Sequence, residues 1–186
     1  MDTPDLNTVL DFEPEDFLTS LFRTAKAILL SPGLFFQGMK RDGGLRNPLI
    51  FLASCVVVNT LLVALLLKSQ SLIARSLVLG IVLPFVTAGV LYFIITRLFK
   101  ASGTYEAAFR VNAYSAAVAL LSWIPLVGVL LELYRIYLIV LGLSFAFSIK
   151  ASRAFLAVIL TVFVYLVASA ALTHITGGQW PNVGPS

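Results

Sequence analysis

The stretch LLELYRIYLI, Leu130–Ile139, sets Glu132 three residues ahead of Arg135 inside an otherwise apolar run. Residues three apart share a helical face, so the carboxylate and the guanidinium can pair with each other. Pairing matters, because an unpaired charge at mid-bilayer costs at least about 2.5–3.5 kcal/mol on insertion scales. Other polar groups fall at a similar depth. Counted at about 1.5 Å per residue from the basic ends of their helices, Asn59, Thr87, Ser115 and Tyr165 lie about 16–18 Å deep and Arg135 about 22 Å. One polar layer is therefore expected, with the Glu132–Arg135 face turned inward and Glu132 one turn further out. Arg110, about 9 Å deep, is a poor partner for Glu132. Such a layer serves either as a polar lock that sets helix packing or as the floor of a water-filled cavity. In the second case the guanidinium meets an anionic headgroup or solute.

The sequence offers little covalent chemistry. It contains no GxxxxGK[ST], HExxH, CxxC or GxSxG motif. The acidic residues gather near the N-terminus, away from any partner suited to acid–base work. The one histidine, His174, stands at the end of an apolar stretch, and the one cysteine, Cys55, lies within another and reads as a small core residue. No enzyme activity, cofactor, metal or nucleic-acid partner is expected.

The elements that must hold the polar layer follow from hydropathy. Of 186 residues, 59% are hydrophobic and only 12% charged, with a mean hydropathy of +0.97. Soluble domains run near 45–50% apolar and about 25% charged, so the chain reads as an all-α integral membrane protein. Five stretches approach the roughly 20 apolar residues a bilayer crossing needs. They run from Asn47 to Lys68, Leu72 to Phe99, Thr104 to Trp123, Pro125 to Lys150, and Arg153 to Thr173. Asn47 is the expected cap of the first, with Pro48 as its first helical residue. Pro84 interrupts the second and frees a carbonyl that could line a cavity.

Charge bias orients the bundle. Arg23, Lys26, Lys40, Arg41, Arg46, Arg97, Lys100, Arg110, Lys150 and Arg153 fall on one side; Lys68 and Arg75 fall on the other. The positive-inside rule then places the N-terminus in the cytoplasm and the tail, 174–186, outside. Trp123 and Trp180 are expected as interfacial anchors. The first 46 residues lack an apolar leader and read as a cytoplasmic segment with a helix over 14–31. Phe17, Leu18, Leu21, Phe22, Ala25, Ile28 and Leu29 share one face of it, and Arg23 and Lys26 sit off that face. Acids open this helix and Pro32–Gly33 stop it. An amphipathic helix of this kind lies at a membrane interface.

Three segments, in this order, resemble one family. AILLSPGLFFQGM resembles the "P..FF..M" entry of the Yip-domain family, the Ypt/Rab-interacting proteins. FRVNAYSAAVALLSWIPLVG resembles its "aYs…iP.iG" passage, with Val118 where relatives commonly carry proline. YLIVLGLSFAFSIKASRAF resembles its "lGl…s..kA" turn. The resemblance spans about Ala27 to Thr173 and implies a five-span bundle with a cytoplasmic N-terminus. Eukaryotic members are linked to vesicle traffic and prenylated small GTPases. This chain has no counterpart to their "DLYGP" signature, and it looks like the prokaryotic branch, which implies a bacterial or archaeal cytoplasmic membrane. The expected function is non-enzymatic membrane organisation through lipid, homo-oligomer or protein contacts. The alternative is a small transporter or lipid-handling protein with a cavity around Arg135.

Overall fold

An apolar run in lipid must satisfy its backbone polar groups internally, and a helix does so within one segment. The computed structural model of the chain describes residues 12–67, 70–122 and 127–175, and these form helices and turns with no strand. A 3-10 turn, Pro14–Asp16, leads into α1 (Phe17–Leu30) and α2 (Pro32–Gly38). The long helices are α3 (Arg46–Leu67), α4 (Gln70–Leu98), α6 (Gly128–Ala146) and α7 (Ala151–Ile175). Between α4 and α6 stands the short α5 (Tyr105–Ser115), continued by a 3-10 segment, Ala116–Leu121. Four helices, within α3, α4, α6 and α7, are long and apolar enough to cross a membrane.

The third apolar stretch differs from expectation. It is not one long span but 11 α-helical residues followed by 6 in a 3-10 segment. Every residue from Ala107 to Val118 is buried. Small side chains at Ala107, Ala108, Ala113, Ala116 and Ala117 let neighbouring backbones close around it. Its combined rise is about 28 Å, and it joins opposite ends of the bundle. The end of α4, the end of α6 and the start of α7 meet around Lys100, Ser148 and Arg153. Ser122, just past the 3-10 segment, instead meets Asn59, well along α3.

Helix starts also shift slightly. α3 begins at Arg46 rather than being capped by Asn47; Pro48 still falls in the first turn, where its missing N–H has no intrahelical partner to lose. Pro32 ends α1 as expected but at once opens α2.

The N-terminal helix does not lie across the basic end of the bundle. Glu13, Pro14 and Glu15 neighbour Arg46 and Asn47 at that end. One helix later, the Leu29 carbonyl accepts a 2.8 Å hydrogen bond from the Tyr134 hydroxyl, about 18 Å along α6 from its basic end. α2 then descends along α6 until Arg41 donates to the Phe145 carbonyl at 2.9 Å. α1 and α2 thus form a re-entrant hairpin. Its expected single apolar face is divided: Leu21, Ala25 and Ile28 pack inward with Ser20 and Thr24, while Phe17, Leu18 and Phe22 are exposed. An aromatic cluster ties the hairpin down, with Phe35 edge-on to Tyr114 at 5.2 Å, Phe51 tilted against it at 5.3 Å, and Phe12 at 5.8 Å from Phe51.

Candidate functional site

Arg135 lines an open pocket of about 220 Å³ between α3, α4, the 3-10 segment and α6. Its polar lining comprises Asn59, Thr60, Ser76, Ser122, Glu132 and Arg135; Pro84 and Gly80 form part of its apolar wall. α6 starts at Gly128 rather than Pro125, so Arg135 sits about 10 Å and Glu132 about 6 Å from the end opposite the basic one. At that depth a long side chain reaches the interface, and the cost of its charge is well below the mid-bilayer figure.

The Glu132–Arg135 pair forms, at 3.9 Å. This is an ion pair without hydrogen-bond geometry. The expected inward face holds for Arg135, whose side chain is 32% exposed, and not for Glu132, at 66%. Glu132 stands at the pocket mouth. Two polar atoms of the pocket residues, Arg135 Nε and Thr60 Oγ1, are buried with no hydrogen-bond partner among the described residues.

The expected polar layer divides into separate contacts. Asn59 joins the pocket, where its Oδ1 lies 2.9 Å from Ser122 Oγ; that hydroxyl is equally close to the Ala119 carbonyl and donates to one of the two. Thr87 and Tyr165 face each other at 2.8 Å across α4 and α7, away from the pocket. Thr87 also reaches the Leu83 carbonyl at 2.8 Å, so donating there and accepting from Tyr165 satisfies both groups. Ser115 is buried and returns its proton to the Val111 carbonyl at 2.7 Å. Of the expected interface residues, Phe17, Phe22, Arg23 and Lys26 are exposed on α1 and Leu21 is buried. Trp123 and Trp180 lie outside the described residues.

Sequence reasoning missed Ser122, Thr60 and Ser76, which only the crossing of α3 and α4 with the 3-10 segment brings to Arg135. It also missed the role of Arg110. That side chain is fully buried, pairs with Glu106 at 3.4 Å and donates to the Gly44 carbonyl at 3.0 Å. Glu106 in turn accepts from the Gly44 amide at 2.6 Å. Gly43 and Gly44 have φ of 144° and 84°, a region in which only glycine is unstrained. The loop before α3 is thereby latched onto α5. The i,i+4 spacing of Glu106 and Arg110 beside a Gly-Gly turn was the available signal. Asn112 adds a buried tie, its Nδ2 donating to the Pro84 carbonyl at 2.9 Å.

Chemically, the pocket presents a guanidinium, hydroxyls and an amide, with a carboxylate at its mouth, to a small polar group. No curated protein and no solved structure matches the chain. A family match runs over residues 26–172, from within α1 to the last turn of α7. That span carries both the bundle and the pocket, and the chain belongs to the Yip1 domain family.

Proposed function

We propose that this membrane protein acts without catalysis, organising the bilayer through lipid and protein contacts. The observation that supports it is the α1–α2 hairpin. Its tip reaches Tyr134 and goes no further, so two extra helices widen the bundle toward its basic end. Leu18, Phe22, Leu30 and Leu34 are exposed along the hairpin, with Arg23 and Lys26 placed to extend their charged ends toward headgroups. A bundle wider at one face of the bilayer favours curvature toward the other. In this reading the chain crosses the bilayer five times, with residues 105–121 as the enclosed crossing. Its N-terminus faces the cytoplasm of a prokaryotic cell, and lipids and further copies of the chain are its partners.

Reconstitution at high protein density tests this. Wild-type protein should give vesicles of smaller mean diameter, by electron cryomicroscopy, than lipid alone. The variant Leu18→Ser/Phe22→Ser/Leu34→Ser should restore most of the difference. Wild-type vesicles as large as the lipid control would overturn the reading.

A second reading, a lipid-handling or small transport protein, is favoured by the Arg135 pocket and its two unpartnered buried polar atoms.

A further inference from the structure

The basic end carries a second concavity, of about 430 Å³, lined by both inter-helix turns. Arg41, Lys100 and Arg153 contribute to it, together with Phe99, Phe147 and Ser148, and no carboxylate lines it. Arg41 is held in place: its Nη2 reaches the Phe145 carbonyl at 2.9 Å and Ser148 Oγ at 3.3 Å. Among the described residues, Lys100 and Arg153 form no ion pair.

The backbone supplies an independent observation. Lys100 (φ 51°) and Ser148 (φ 52°) are the only non-glycine residues with positive φ among the described residues, and both belong to this concavity. Each sits at a helix end closed by a long backbone hydrogen bond, over seven residues from the Ala101 amide to the Ile95 carbonyl at 3.3 Å and over six from the Ile149 amide to the Ser144 carbonyl at 3.1 Å. Glycine is the favoured residue at that position, because any side chain there is strained. At both turns this chain has instead a residue with a polar side chain, one a cation and the other the hydroxyl that accepts from Arg41. Strain of this kind clusters where side chains have work to do. The two turns are also locked together, since a Cβ on Gly103 would run into the Phe147 ring.

The depth is that of a headgroup. The membrane-crossing part of α4 ends at Leu98, two residues before Lys100, and that of α7 begins at Ala151, two before Arg153. Phe99 and Phe147 give the concavity an apolar side. We propose that Arg41, Lys100 and Arg153 bind the phosphate of an anionic phospholipid headgroup at the basic end of the bundle. Lipid binding at this site is independent of membrane shaping, because a bundle that leaves vesicle size unchanged still binds or fails to bind that lipid.

The test uses the full chain in detergent, titrated with phosphatidylglycerol or with phosphatidylcholine of the same acyl chains, and read by native mass spectrometry. Phosphatidylglycerol should bind and phosphatidylcholine should bind far less. A cation near an anionic surface contributes enough for about fivefold in affinity, so Lys100→Gly and Arg153→Gln should each weaken phosphatidylglycerol binding about fivefold. Arg75→Gln, near the start of α4 and so at the opposite end of the bundle, should leave it unchanged. Lys100→Gly relieves the strained turn, so its melting temperature should equal or exceed that of wild type, which separates lost binding from lost fold. Wild-type affinity in Lys100→Gly and Arg153→Gln overturns the proposal. Glycerol phosphate binding as tightly as the lipid also overturns it, in favour of a soluble-anion site.

Discussion

Arg110 and Arg135 bring the same guanidinium into one bundle under different terms. Arg110 is wholly enclosed and anchors the Gly44 carbonyl and the Glu106 carboxylate. Removing one member of a buried charged pair leaves the other uncompensated, at about 3–5 kcal/mol. Arg110→Met should therefore destabilise the protein by about 3 kcal/mol, since Glu106 retains some solvent and its bond from the Gly44 amide. Arg135 has a loose ion pair and an unpartnered buried Nε. Loosely paired, partly exposed charges contribute about 0–1 kcal/mol, and replacing an unsatisfied donor with an apolar group of similar length is close to neutral. Arg135→Met should change stability by less than about 1 kcal/mol, with chemical denaturation in detergent as the measurement for both. A functional loss in a stable Arg135→Met protein would then favour the pocket reading over membrane shaping alone. Depth counting along the sequence ranked these two arginines in the opposite order. It treats each helix as a ruler, and cannot register a Gly-Gly loop folding back over α5.

At the scale of elements, the four long helices were legible because lipid demands a long uninterrupted apolar run, and such runs stand out in any sequence. α5 was harder to place. It is enclosed on all sides, so no lipid-facing stripe marks it, and it carries Glu106, Arg110 and Asn112 because protein partners satisfy them. The hairpin was half legible: α1 was visible from its acidic start and proline stop, but its direction depends on Tyr134 and Phe51, far away in sequence. The resemblance carried by SPGLFFQGM and by the "lGl" passage acquires a physical basis here. Phe36 of α2 and Val111 of α5 pack at Gly142 of α6 so closely that a Cβ would lie 3.0 Å from the Phe36 ring and 2.6 Å from Val111 Cγ1. Overpacking of this kind costs about 1–3 kcal/mol. Gly142→Ala should lower stability by that amount in the same denaturation assay, despite alanine's better helix propensity. A gain in stability would show that the three helices do not meet as described.

For the whole molecule, the decisive quantity is the number of times the chain changes sides. α4 and α6 both end at the basic face, where Lys100 and Ser148 share one concavity. Two parallel helices in one bundle require a connection spanning its height, and in the five-crossing reading residues 105–121, about 28 Å long, supply it. If this bundle sits in a bilayer as the charge bias directs, Ser102 and Val129 must face opposite compartments. Both are exposed, and the native Cys55 is buried, so a membrane-impermeant maleimide reads an introduced cysteine against a quiet background. In intact cells Val129→Cys should label and Ser102→Cys should not; permeabilisation should make both reactive. Labelling of both from outside, or of neither, would mean that residues 105–121 return to the side they left. The polar contacts of Glu106, Arg110 and Asn112 would then belong to a re-entrant segment, and the inverse pattern, Ser102→Cys alone, would retain the crossing and reverse the orientation.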